Sequence, residues 1–222
     1  MKNSSKYSGK LQRLYNSLKS KYPKAQPVIY DDPVEAIVHA IVSENLTMRA
    51  AQAAMRKLTE GFVDFNDLRV SRGEEIIEVL GENTQQARQI ASSLNKALAA
   101  VFNRYHTLSL ETLKKLGKRP ARRVLEQMDG TSRFIVDYCV LTALHGHAIP
   151  LTATMLEYLR NNELAHPNAD EQEIEGFLTR QIPAHNGYEF YHLLRTHSES
   201  SKGHKEAARE KKIRTKKTKK SK

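Results

Sequence analysis

Residues 128–155 read MDGTSRFIVDYCVLTALHGHAIPLTATM. A glycine-containing turn, MDGTS, leads into the apolar run FIVDYCVL. A Gly–Pro break, HGHAIP, then leads into LTATM, where Thr152 suits the N-cap of a second helix. Turn, apolar helix, break and helix start make a layout fit to carry a site. Yet the stretch holds no Lys and only two acids, Asp129 and Asp137. It therefore raises the question of whether the protein performs chemistry or only holds something.

The same helical rhythm continues on both sides. LQRLYNSLKSKY (11–22) places Leu11, Leu14, Tyr15 and Leu18 at helical spacing, and Pro23 and Pro27 end it. DDPVEAIVHAIVSE opens with acids before Pro33 and carries a broad stripe of Val34, Ile37, Val38, Ile41 and Val42. Thr47 can cap MRAAQAAMRKL, and Gly81 closes the short GEEIIEVL. TQQARQIASSLNKALAAVF is long, with Ala87, Ile90, Leu94, Ala97, Leu98 and Val101 on one side. LSLETLKKLG and PARRVLEQM precede the opening stretch; ADEQEIEGFLTRQI and GYEFYHLLRTH follow it, all with helical patterning. No run alternates with period two, and no unit repeats. The expectation is an all-α fold of about ten short helices.

The chain has 222 residues, 39% of them hydrophobic, enough for a core of its own. No apolar run approaches the roughly 20 residues of a membrane span, and MKNSSKYSGKLQRLY lacks the apolar core of a secretory leader. The single cysteine, Cys139, excludes an internal disulfide and a cysteine-ligated metal cluster. Its place in FIVDYCVL reads as a buried, inert thiol in a reducing, cytoplasmic setting. The net charge of +11 is uneven: residues 1–30 carry +7 and residues 202–222 carry +9, which leaves 31–201 at −5. The expected organisation is a basic N-terminal helix or arm (1–30), a helical domain (31–198) and a disordered Lys-rich tail (199–222). Basic ends of this kind add sequence-independent phosphate affinity that falls with salt; the plainer alternative is a solubilising tail.

Taken together, the helix order and four landmarks resemble the helix-hairpin-helix DNA glycosylase superfamily, the endonuclease III-like proteins, from about Asp32 to His197. The first landmark is AIVHAIVSENLT (36–47), where Ser43, Asn45 and Thr47 match a Ser-x-Gln-x-Thr loop. The resemblance implies that Asn45 helps fill the gap that a flipped base leaves in a duplex; the plainer alternative is an ordinary helix-capping loop. The second is IIEVLGENTQQARQIASSL (76–94), where Gly81 and Ala87 keep the spacing of a helix junction and Gln86 replaces the usual Lys. In the third, the family's Leu-Pro-Gly-Val-Gly hairpin falls on Met128 to Ser132, with Gly130 kept, Asp129 for Pro and Ser132 for the second Gly. Such a hairpin grips a phosphate with backbone N–H groups and a helix N-terminus. Just upstream, KKLGKRPARR (114–123) holds six basic residues and no acid. DNA contacts are therefore expected at Asn45, Lys114, Lys115, Lys118, Arg119, Arg122, Arg123, Gly130, Thr131, Ser132 and Arg133.

The fourth landmark, HGHAIPLTATM (145–155), departs from the family. Family enzymes place there an Asp that stabilises the oxocarbenium-like charge or activates the nucleophile. Here that position is Thr152. Bifunctional members also place a nucleophilic Lys two residues after the second hairpin Gly. Here that position is Phe134, and the interval of 18 residues to Thr152 is kept without insertion. A Thr hydroxyl cannot carry the charge and a Phe ring cannot attack. Asp137, Tyr138 and Glu157 are possible substitutes. His145 and His147 form a His-x-His pair with no third ligand at a telling spacing, so no metal is expected. The family's cysteine-ligated iron–sulfur loop is missing; its first Cys would fall near Lys202, and no cofactor is expected.

The leading expectation is a DNA-binding relative of these glycosylases, in two helical lobes, with its catalysis lost or strongly altered. It would be a monomer, associated with the nucleoid, that touches double-stranded DNA mostly through phosphates and has no membrane contact. A second reading is an active base-excision glycosylase or AP lyase that uses displaced groups. A third is a helical RNA- or protein-binding module.

Overall fold

The computed structural model describes residues 4–220, with side chains described for 5–203. Among them every regular element is a helix: α1 (Ser4–Lys21), α2 (Pro33–Glu44), α3 (Met48–Gly61), α4 (Phe65–Val70), α5 (Gly73–Leu80), α6 (Gln85–Tyr105), α7 (Lys118–Glu126), α8 (Arg133–Thr142), α9 (Ala153–Asn161), α10 (Glu171–Gln181) and α11 (Gly187–Lys220). Short 3-10 turns occupy Glu111–Lys115 and Ala184–Asn186. The all-α expectation holds. No helix among the described residues is long and apolar enough to cross a membrane.

Caps set the boundaries. Asp32, Thr47, Asp64, Thr84, Ser132, Thr152 and Asp170 each accept a hydrogen bond from a first-turn N–H of the helix that follows. Gly81 ends α5 in the left-handed conformation at φ 84°. One local expectation differs, and one helix went unread in the sequence. LSLETLKKLG forms only the 3-10 turn, because the Leu110 N–H and the Ser109 hydroxyl bond to the distant Asp32 carboxylate. α4 had no periodic signal: at six residues it is too short for one, and Asp64 bonds to the N–H groups of both Asn66 and Asp67.

The centre of the fold is α2 against α8. The stripe expected on α2 is buried together with Ala36 and Ala40, so the helix is enclosed nearly all round. Tyr30, just before α2, donates its N–H to the Thr142 carbonyl and meets the Tyr138 hydroxyl at 3.2 Å. α3, α6 and α8 pack on α2, α4 and α5 pack on α6, and α7 packs on α8, which makes the first lobe. The second lobe joins the first helix to the last: α11 packs on α1, α8 and α9. Tyr7, Leu11, Tyr15 and Leu18 of α1 are buried there, and the Tyr15 hydroxyl donates to Glu189 at 2.6 Å. Each such fully buried side chain stabilises by roughly 1.5–3 kcal/mol. Glu199, at the head of the expected tail, still belongs to the packed lobe, since it accepts from the Met48 N–H. From His204 on, the Lys-rich stretch lies outside the residues whose side chains are described.

Candidate functional site

The turn from α7 to α8 is built from Met128 to Ser132. Gly130 has φ 80°. A Cβ there would stand 2.8 Å from the Ala97 backbone N and 2.9 Å from the Ser93 carbonyl, so this glycine lets the turn lie directly on α6. The Thr131 hydroxyl donates to the carbonyls of Leu125 and Met128, at 2.8 and 2.7 Å, and closes the end of α7. Ser132 caps α8 through the Ile135 N–H. The N–H groups of Arg133 and Phe134, first in the helix, have no carbonyl within it to bond, which is the chemistry that suits an oxyanion. Asp129 is exposed on the same turn.

The basic residues expected at this face divide in two. Lys115, Lys118, Arg119 and Arg123 are exposed or half-exposed and form no ion pair among the described residues. Lys114 donates to the Tyr30 carbonyl at 3.4 Å. Arg122 is half-buried and committed: its Nε meets Glu126 at 2.9 Å and its Nη2 meets Asp137 at 2.6 Å. Arg133 is half-buried and lies in the field of Glu171 and Glu175, whose carboxyls burial pushes up while Arg133 and other cations pull them down.

The two positions where the family keeps its chemistry are structurally filled. Phe134 is 2% exposed, stacks on Tyr138 with ring centres 6.1 Å apart, and has the Arg195 guanidinium 5.7 Å from its own centre. Thr152 is buried, and its hydroxyl accepts from the Met155 N–H at 3.3 Å. The proposed substitutes lie apart. Asp137 is 1% exposed, and its Oδ2 has no hydrogen-bond partner among the described residues. Burial pushes its carboxyl up to about 7 against the pull of Arg122. The Tyr138 hydroxyl is buried against Tyr30, and burial drives its pKa far above the ordinary phenol value. Glu157 is exposed and accepts from Asn161 on the next turn of α9. His145 is exposed and His147 partly buried, its Nε2 without a hydrogen-bond partner among the described residues. Among the described residues no three His, Cys, Asp or Glu side chains gather as a metal site.

Cys139 is fully buried in α8, with its Sγ 4.0 Å from the Pro33 carbonyl, and burial pushes the thiol up. With that one thiol sealed in the core and a cation, Lys202, where a first cluster cysteine would fall, the donors do not fit an iron–sulfur cluster.

What the fold does bring together is Asn45 and Thr152. Asn45 is the exposed C-cap of α2. It lines a cavity of about 410 Å³ with Glu44, Thr47, Thr152, Glu199 and Lys202. Two residues of this site escaped the sequence reading. Glu44 has its carboxyl raised by burial, with a hydrogen bond from Ser132 acting in the other direction, so it ties the cavity to the hairpin. Arg195 is 1% exposed and reaches from α11 to the Ser43 and Leu46 carbonyls on either side of Asn45. The available signals were an acid inside the Ser43-x-Asn45-x-Thr47 loop and an arginine on the apolar face of GYEFYHLLRTH.

No family model matches the chain, and no curated protein matches it in sequence. Solved structures do. A trapped covalent endonuclease III–DNA intermediate, an estranged-adenine complex, is 16% identical at a TM-score of 0.67, over 85% of this chain and 84% of that one. A Clostridium acetobutylicum 8-oxoguanine glycosylase/lyase bound to double-stranded DNA is 14% identical at 0.67, over 90% and 71%. An H. pylori 3-methyladenine DNA glycosylase bound to 1,N6-ethenoadenine is 15% identical at 0.62, over 90% and 98%. The chain has the fold of these helix-hairpin-helix DNA glycosylases.

Proposed function

We propose that this protein binds duplex DNA through the α7–α8 hairpin and the Asn45 loop, and that it has given up the lyase and glycosylase chemistry of the proteins whose fold it shares. The observation that carries this reading is the state of two positions: Phe134 is sealed in the core and the Thr152 hydroxyl is spent on capping α9. The DNA face is supported by Gly130 seated on α6, the open start of α8, and four cations on or beside α7 that form no ion pair among the described residues. Those features engage phosphates, so affinity is mostly electrostatic and falls steeply with salt. The protein acts as a monomer and without a cofactor.

One observation favours a second reading, an altered glycosylase. Glu44 holds a carboxyl of raised pKa in the cavity that Asn45 and Thr152 share. A carboxyl kept protonated nearer neutral pH is suited to general acid work.

The test is to incubate the full chain with duplexes that carry uracil, an oxidised pyrimidine, a mismatch or an abasic site. Binding, base release and strand cleavage are then measured across a salt series. Salt-sensitive binding with no cleavage above the protein-free control is expected. Cleavage without added metal, abolished in Glu44→Gln, would replace the first reading with the second. Undiminished binding after Lys118, Arg119 and Arg123 are all changed to Ala would remove the hairpin face from the proposal.

A further inference from the structure

We infer that Arg195 is the positioning residue of the Asn45 loop, and that Phe134 serves as the platform on which it does so. The inference rests on the reading that Asn45 meets DNA and adds what fixes it in place. Arg195 lies on α11, in the second lobe, yet three of its hydrogen bonds cross to the first. Its Nη2 donates to the Ser43 carbonyl at 2.5 Å and to the Leu46 carbonyl at 2.9 Å. Its Nη1 donates to the Tyr191 hydroxyl at 2.6 Å and reaches the Ser43 hydroxyl at 3.4 Å. Its Nε donates to Glu199 Oε1 at 2.9 Å.

The two carbonyls belong to the last turn of α2 and the loop beyond it, where a helix has no N–H groups of its own left to offer. On the far side of the loop the Met48 N–H, first in α3, is accepted by Glu199 Oε2 at 3.0 Å. One arginine and one glutamate, a turn apart on α11, thus satisfy the end of α2 and the start of α3 together. Asn45 lies between the two anchored carbonyls with its own side chain exposed.

A guanidinium buried this deeply requires a counter-charge and a supporting surface. Glu199 is the first. The rings of Phe134 and Tyr191, 5.7 and 5.9 Å from the guanidinium, are the second. A lysine at 134 would set a second cation against Arg195 in the same buried place. In this chain the loss of the nucleophile and the hold on the loop are therefore one arrangement. Arginine is suited to it because a planar fork can serve two carbonyls and a carboxylate at once, which lysine cannot.

The test compares Arg195→Met, Arg195→Lys and Asn45→Ala in the full chain. Hydrogen exchange of the amides at 45–48 is read in the free protein. The affinity ratio for an abasic-site duplex over the intact duplex is read separately. Arg195→Met is expected to speed exchange in the loop by about tenfold or more while the α6 amides keep their protection. It is expected to lower the affinity ratio to the Asn45→Ala value, with no further loss in the double variant, and Arg195→Lys should recover part of both. Unchanged loop exchange in Arg195→Met, or a ratio kept in Arg195→Met and lost in Asn45→Ala, overturns the inference. Should Arg195→Met fail to fold, Arg195→Lys and Glu199→Gln carry the test, and unchanged loop exchange in both overturns it. If Asn45→Ala keeps the ratio while Arg195→Met still frees the loop, the DNA role of Asn45 fails and the positioning role stands.

Discussion

Asp137 and Arg122 meet at 2.6 Å across the joint between α7 and α8, with the carboxylate almost wholly buried and the guanidinium a quarter exposed. Burial holds the Asp137 carboxyl up at about 7, whereas an unfolded chain releases that proton near 3.9. The folded state therefore binds a proton that the unfolded state has lost across this window. Its stabilising effect is complete below about 4 and is lost as pH rises through about 7. Thermal melts from pH 4 to 8 should show stability falling with pH over that range. Asp137→Asn should flatten the fall, leaving only the balance between the carboxyls of Glu44, Glu171 and Glu175, which burial raises, and the imidazoles of His39, His192 and His197, which burial lowers and which act with the opposite sign. An unaltered slope in Asp137→Asn would place the titration elsewhere.

Two glycines near the hairpin should answer alanine in opposite ways. At Gly130 an added Cβ meets α6 backbone atoms at 2.8 and 2.9 Å, at a φ of 80°. Gly130→Ala is expected to cost about 2–4 kcal/mol. At Gly117, the N-cap of α7, the nearest atom is Pro120 Cδ at 3.6 Å, an ordinary approach. Gly117→Ala should stay within about 0.5–1 kcal/mol of the parent. Urea unfolding of the two variants decides the point, and equal costs would contradict the seat of Gly130 on α6.

Placing at 134 and 152 the Lys and Asp that endonuclease III-like enzymes carry should fail at one position and be better borne at the other. Phe134→Lys removes a buried ring and adds a cation beside Arg195, so a loss of about 3 kcal/mol or more is expected. Thr152→Asp keeps a good N-cap but sets a carboxylate in the cavity with Glu44 and Glu199, so it should destabilise, though by less than Phe134→Lys. Borohydride treatment of Phe134→Lys with an abasic-site duplex should trap no covalent adduct. A trapped adduct would show that the site still admits the chemistry.

The basic run from 114 to 123 should separate by salt titration. Lys118→Ala, Arg119→Ala and Arg123→Ala should each lower the slope of log affinity against log salt by about 0.9 for every phosphate left without its cation. Arg122→Ala should leave that slope nearly unchanged and lower the melting temperature instead, because its guanidinium serves Asp137 and Glu126. A reversed assignment would mean that Arg122 faces the DNA.

What was legible in the sequence depended on whether the deciding interaction is local. Thr152, Ser132 and Gly130 were readable, because caps and left-handed turns are set within a few residues. α2 and α6 were readable because burial repeats along them. The 3-10 turn at 111–115 was not, since Asp32 sets it from almost eighty residues away. Arg122 looked like a free cation because its buried partner lies on the next helix. Glu44 and Arg195 gain their meaning only when α11 closes against the α2–α3 loop, bringing together residues about 150 apart.

Cys139 gives the molecule a practical asset. The chain's one thiol is wholly enclosed in α8, and its environment keeps it from ionising. A cysteine placed at exposed Asn45 or Lys118 would then be the sole reactive handle on the folded protein. A fluorophore or spin label attached there could report the approach of each face to a duplex without any prior removal of the native residue.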